Sequence, residues 1–229
     1  MKPFFLLFLA GSVLQAPAAE TPAPAQPPSK LEVQVDKFAE EPLPAPGGIL
    51  LVGSSIFRQW KTAPADLAPL PVTNRAFGGS HTSHQLRFFD RVVPPCRPDL
   101  VVWYCGSNDV KNGKDPAEVV ARTREWIGKV QAALPGAGIV MVSVMNSPQK
   151  RHDGQAQAVR EVNRGLAGLA DGSKRIFYLE INPAFETKGG EPRTDLYVED
   201  GLHLNADGYR RMAEVIRPEL QSRWKPERS

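Results

Sequence analysis

Four short, nearly uninterrupted apolar runs recur along the chain, at residues 49–52, 100–105, 139–144 and 176–179, with stretches of helical spacing between them. A strand with one wet face alternates apolar and polar side chains, whereas a strand that is apolar at successive positions must be covered on both faces. The runs therefore call for a parallel sheet held between two layers of helices. Residues 72–76 supply a weaker fifth run. The clearest helix is expected to start at Asp115 as N-cap, with Pro116 in the first turn and Glu118 three residues after the cap. Val119, Trp126, Ile127, Val130 and Leu134 follow helical spacing, and Gly136 is expected to end the helix. The last helix is expected to start near Asn205 and to bury Tyr209, Met212, Ala213 and Ile216, with Pro218 bending or ending it. The expected fold class is α/β, a three-layer α/β/α sandwich. In such sheets reactive groups collect just beyond the carboxyl ends of the strands.

A chain of 229 residues, 41% of them hydrophobic, suits one globular domain with a sizeable core. Its 2 cysteines are too few for a disulfide-stapled scaffold. The 28 basic and 25 acidic residues are interspersed and form no dense basic stripe, so no nucleic-acid partner is expected. Residues 1–19 read as an export signal: Lys2 is a positive start, residues 4–14 are apolar, and Ala16-Pro17-Ala18 offers a small-x-small cleavage pattern. A retained membrane anchor is the alternative. No cysteine follows the apolar stretch, so lipid attachment there has no support. The mature chain is expected to be periplasmic or secreted, with no integral membrane span. In residues 16–28, ten of thirteen are alanine or proline, which makes an extended tether. Leu31, Val33 and Val35 alternate with Glu32 and Gln34, the pattern of a short edge strand or of an arm laid over the domain. Residues 20–46 are thus expected to be a Pro/Ala-rich linker and N-terminal arm. The folded domain is expected over 47–224, starting at Gly47-Gly48.

Small polar residues follow the first three runs. Gly53-Ser54-Ser55 follows residues 49–52, Gly78-Gly79-Ser80 follows 72–76, and Gly106-Ser107-Asn108-Asp109 follows 100–105. Asp200-Gly201-Leu202-His203 precedes the last helix. Acyl transfer needs this inventory. A serine hydroxyl is a poor nucleophile until a base takes its proton, and histidine titrates in a suitable range. Asp200 lies three residues before His203, within reach of the ring across one turn. A tetrahedral intermediate develops a negative oxygen that fixed donors must meet, and a glycine amide approaches closely because no β-carbon intrudes.

In order and spacing, over roughly residues 45–222, these four blocks resemble those of the SGNH (GDSL-type) hydrolase superfamily. The resemblance implies a flavodoxin-like parallel five-stranded sheet and an esterase or acylhydrolase working without metal or cofactor. Carried over position by position, it makes Ser55 the nucleophile, His203 the base and Asp200 its orienter. It assigns the oxyanion hole to the backbone amides of Ser55 and Gly79 and the side-chain amide of Asn108. One departure stands out. The nucleophile block of the family usually reads Gly-Asp-Ser, and here Ser54 replaces the aspartate, which leaves two adjacent serines as candidates. The chain lacks the Gly-x-Ser-x-Gly elbow of the α/β-hydrolases, since Phe57 sits two residues after Ser55.

The substrate is expected to be a small-molecule, glycan or lipid ester with a short acyl group. The alternatives are a non-catalytic carbohydrate-binding module on the same fold and an acyltransferase. Ser54, Phe77, His81, Tyr197 and Val198 are further candidates to line the substrate site. His81 and His84 are spaced like metal ligands, but no Cys, Asp or Glu stands at zinc-like spacing, and no metal is expected. His152-Asp153 is expected in a solvated charged loop with Lys150 and Arg151. Cys96 and Cys105 flank an extended run of about 30 Å, beyond disulfide reach, so free thiols are expected.

Overall fold

The apolar runs become five strands: β1 (Ile49–Gly53), β2 (Val72–Asn74), β3 (Leu100–Tyr104), β4 (Gly138–Val142) and β5 (Ile176–Leu179). All neighbours pair in parallel, in the order β2-β1-β3-β4-β5, with Ile49 opposite both Val72 and Leu100. This is the flavodoxin-like order, whose direction of winding reverses between β1 and β3. The computed structural model describes residues 29–225. The expected export signal and the tether up to residue 28 lie outside the described residues. Among the described residues ten α-helices accompany the strands: α1 (Lys30–Glu40), α2 (Ser55–Gln59), α3 (Ala63–Asp66), α4 (Thr82–Arg87), α5 (Phe89–Val92), α6 (Ser107–Lys111), α7 (Pro116–Ala133), α8 (Pro148–His152), α9 (Ala156–Ala167) and α10 (Ala206–Arg223). No helix among the described residues is long and apolar enough to cross a membrane.

Successive side chains of a strand point to opposite faces, so each apolar run feeds two cores. Leu50, Val52, Val101, Trp103, Ile139 and Met141 pack on one face with Phe89, Trp126, Val130, Val162 and Leu166 from α5, α7 and α9. Ile49, Leu51, Leu100, Val102, Val140 and Val142 pack on the other with Phe57, Trp60, Met212, Ile216 and Leu220 from the α2 region and α10. Burying each such side chain stabilises the fold by about 1.5–3 kcal/mol. The Trp103 and Trp126 rings, 4.1 Å apart between centroids, join β3 to α7.

Several local expectations change. Residues 31–35 do not form an edge strand: they lie within α1, which occupies part of the expected linker and arm. Ser29 caps it, accepting from the Glu32 N–H while the Glu32 carboxylate accepts from the Ser29 N–H. Leu31, Val35 and Phe38 then fall on one face, and Val35 and Phe38 are buried in the core beside Phe88 and Phe89. The helical period wins over the alternating one because it docks an apolar face. Asp115 caps α7 as expected, but the helix ends at Ala133, before Gly136. Pro218 neither ends nor breaks α10, which runs on to Arg223; it lies on the exposed side of the helix. His152 is solvated, at the end of α8 rather than in a loop, but Lys150 is fully buried. Cys96 and Cys105 are free, buried thiols, and burial pushes both upward in pKa.

Candidate active site

The switch between β1 and β3 leaves a gap at the carboxyl ends of the strands, and three of the four polar blocks open onto it. β1 ends at Gly53, whose φ of +139° and close approach to β3 exclude a side chain: a Cβ there would lie 1.9 Å from the Tyr104 carbonyl oxygen. The next residue, Ser54, donates its N–H to that carbonyl at 3.0 Å. This turn brings Ser55 to the first position of α2, half-buried at the mouth of the gap.

His203 Nε2 lies 2.9 Å from Ser55 Oγ. Its other ring nitrogen, Nδ1, lies 2.6 Å from Asp200 Oδ2. A carboxylate only accepts, so the ring donates from Nδ1, and Nε2 is left to accept from the serine hydroxyl. Asp200 Oδ1 also accepts from the Leu202 and His203 N–H groups at 2.8 and 2.9 Å, a turn that Gly201 permits with φ of +62°. Partial burial pushes the Asp200 carboxyl up, but the His203 ring and these two N–H groups outweigh it and hold the carboxyl below its ordinary range.

The second and third blocks bring donors. Asn108 stands in the first turn of α6, and its Nδ2 donates to the Ser80 carbonyl at 3.0 Å. Ser80 is fully buried; its hydroxyl bonds the Phe77 carbonyl at 2.9 Å, and Gln85 Nε2 bridges that hydroxyl to the Gly53 carbonyl, each at 2.9 Å. One buried network therefore ties the serine, glycine and asparagine blocks together. The backbone N–H groups of Ser55 and Gly79 have no acceptor among the described residues. Lys150 Nζ donates to the Ser107 carbonyl at 3.0 Å and to Gln155 Oε1 at 3.1 Å, bracing the asparagine block from below.

Ser55, Gly79, Asn108 and His203 line one shallow cleft of about 340 Å³ together with Gln34, Arg58, Gln59, Gly78, Lys111 and Leu202. A larger cavity of about 560 Å³ opens at the opposite, amino-terminal end of the strands, around Gly47, Pro71 and Trp224, away from all four blocks. Asp200, behind His203, and the five further lining candidates lie outside this cleft lining. Ser54 is buried and its Oγ has no partner. Phe77 is fully buried with its ring edge-to-face on Phe88. His81 precedes α4, its Nδ1 3.7 Å from Asp109 Oδ1 and its Nε2 3.2 Å from Asn112 Nδ2. Tyr197 is buried, and Val198 is exposed beside it. His84 accepts at Nδ1 from the His81 N–H. Burial, and then His81, push the His84 ring's pKa down. Among the described residues no group of three or more His, Cys, Asp or Glu is arranged to hold a metal.

Sequence reasoning missed Gln34, Arg58 and Gln59. Arg58 and Gln59 follow Ser55 by three and four positions on α2, and Lys111 follows Asn108 by three on α6, spacings that put them on the same helix faces. That signal was legible. Gln34 had none, because α1 was not recognised as a helix.

Fold and site together define a hydrolase of the flavodoxin-like α/β class. The parallel sheet gathers a hydroxyl, an imidazole and a carboxylate at its strand ends. The chain belongs to the GDSL-like Lipase/Acylhydrolase family, whose family model matches residues 52–211, and it is an enzyme acting on ester bonds. Solved structures share the fold. An acylhydrolase candidate from Bacteroides fragilis NCTC 9343 is 18% identical with a TM-score of 0.73, over 86% of this chain and 98% of that one. A GDSL-like lipase from Bacteroides thetaiotaomicron VPI-5482 is 18% identical with a TM-score of 0.70, over 84% and 98%. A variant of an acetyl-xylooligosaccharide esterase from Geobacillus Stearmophilus is 16% identical with a TM-score of 0.63, over 82% and 99%. A comparison with curated proteins finds no match.

Proposed function

We propose that the protein is an exported serine esterase that removes a short acyl group from a carbohydrate or lipid ester through an acyl-enzyme. The observation that carries this reading is the continuous relay from Asp200 through His203 to Ser55, at 2.6 and 2.9 Å. Ser55 Oγ attacks the ester carbonyl while its proton passes to His203 Nε2. The carbonyl oxygen becomes an oxyanion, and the unbonded N–H groups of Ser55 and Gly79 and the amide of Asn108 receive it. The proton then moves from His203 to the leaving alkoxide, and water, activated by the same ring, releases the acid. A cleft whose lining holds one aliphatic side chain, Leu202, supports a short acyl group over a long one.

Hydrolysis of p-nitrophenyl acetate tests the assignment. Ser55→Ala and His203→Ala are expected to lose about a thousandfold or more in kcat. Ser54→Ala removes a hydroxyl that bonds nothing, and is expected to keep both turnover and labelling by a fluorophosphonate. Equal rates for wild type and Ser55→Ala would refute the role of Ser55. Loss in Ser54→Ala alone would transfer it to the neighbouring serine. Added acceptor alcohols, with the products analysed, separate hydrolysis from acyl transfer. Sequencing the amino terminus of protein recovered outside the cytoplasm tests export.

A further inference from the structure

The cleft around Ser55 carries two cations and no open carboxylate. Arg58 lies against the glycine block, its Nε 2.5 Å from where a Cβ on Gly78 would stand. Lys111 closes α6 beside the asparagine block. Both residues are exposed, and neither side chain makes an ion pair or a hydrogen bond among the described residues. The acid nearest the reacting atoms, Asp200, does not line the cleft and is engaged by three hydrogen bonds behind His203. A substrate that settles with its carbonyl at Ser55 therefore meets positive potential on both flanks, beside each donor loop.

We propose that the enzyme prefers short-chain esters whose alcohol portion bears a carboxylate or phosphate. This rests on the esterase reading of the same cleft and names the class of substrate it takes. Arg58 supplies a planar fork that matches either anion, and Lys111 supplies a point charge. Because both heads are in water, each attraction is screened, and the preference is of order tenfold rather than a thousandfold. It acts mainly through KM, since the anion is present in the ground state and the transition state alike.

The test uses two aryl acetates that differ in charge, 4-carboxyphenyl acetate and the neutral 4-carbamoylphenyl acetate. At low salt, kcat/KM is expected to be about tenfold higher for the carboxylate, and the ratio is expected to shrink toward one in 0.5 M sodium chloride. It is expected to fall most of the way in Arg58→Gln/Lys111→Gln and part of the way in the exposed Lys111→Gln alone. Binding of both esters to Ser55→Ala, followed by calorimetry, reads the same preference without any chemistry. Equal binding of the two esters there, or a ratio that the double variant leaves unchanged, overturns the proposal. A binding preference without turnover by the wild type upholds it and counts against the esterase reading alone.

Discussion

Gln34 clamps Gly78 with both ends of its amide: Oε1 accepts from the Gly78 N–H at 2.8 Å, and Nε2 donates to the Gly78 carbonyl at 3.2 Å. Gln34 lies on α1, before the segment at 52–211 that carries the family match. The ion pairs Glu32–Arg87 and Asp36–Arg91 hold α1 against α4 and α5, and Phe38 anchors it in the core. The clamp fixes the peptide just before Gly79, whose N–H has no acceptor among the described residues.

Replacing Gln34 by methionine keeps the length of the side chain and removes both hydrogen bonds. Each neutral hydrogen bond is worth about 1 kcal/mol net, so losing both is expected to lower kcat by up to about 30-fold. KM is expected to move less, because a displaced oxyanion donor matters most in the transition state. Steady-state rates on p-nitrophenyl acetate measure both. An unchanged kcat would mean that the glycine block holds its shape without α1.

Asp200→Asn replaces the acceptor at Nδ1 by an amide that can present a donor to the ring instead. The expected loss in kcat is about a hundred- to ten-thousandfold, through the wrong ring tautomer. Hydrogen bonding from the His203 ring and two N–H groups holds the Asp200 carboxyl below its usual range, so the group opposite Nδ1 is a carboxylate at neutral pH. A variant with full activity at neutral pH would remove Asp200 from the relay.

Lys150 is fully buried without a carboxylate partner among the described residues. Burial, and secondarily Lys111, push its pKa from 10.5 down to about 8, against a smaller opposing pull from Asp153. Between those two values the unfolded chain holds the proton and the native chain does not, so stability rises with pH through that window. Lys150→Met cannot titrate there, and the tyrosines contribute alike to both proteins. The stability of wild type relative to Lys150→Met is therefore expected to increase from pH 8 to pH 10 in denaturant titrations. A flat difference would show that burial does not perturb this amine.

Gly53 and Gly113 both have positive φ, at +139° and +67°, but only Gly53 faces another backbone. Gly53→Ala drives a methyl into the Tyr104 carbonyl and is expected to cost more than about 4 kcal/mol or prevent folding. Gly113→Ala meets open space and is expected to cost about 1–2 kcal/mol from backbone strain alone. Thermal melts of the two variants give the contrast. Similar losses would mean that β1 and β3 separate more easily than their packing suggests.

Much of the fold was legible because doubly covered strands leave an unbroken apolar signature, and β1, β3, β4 and β5 follow the runs within a residue or two. Three of the four chemical blocks were legible for a related reason: they come just after β1, β2 and β3, while the Asp200–His203 block precedes α10. Direction was not. Phe77 adjoins the glycine block in sequence yet turns wholly into the core against Phe88, and Tyr197 turns inward while Val198 turns out. Neighbourhood along the chain says nothing about which way a side chain leaves a turn. Residues 31–38 carried two competing periods, and docking against the core chose between them. Lys150 stands in a run of charged residues, and only the packing of α8 shows that its ammonium is enclosed.

Local sequence therefore determined the kinds of element, their order, and which reactive groups the chain owns, since periodicity, caps and turns act over a few residues. Tertiary structure decided the distances. Ser55 and His203 are 148 positions apart and meet at 2.9 Å because α10 packs back across the sheet. There the Tyr209 hydroxyl, itself donating to the Ile56 carbonyl at 2.9 Å, pins α10 beside the serine. No local preference encodes that closure; it follows from burying Tyr209, Met212 and Ile216 against the same face that covers Phe57 and Trp60.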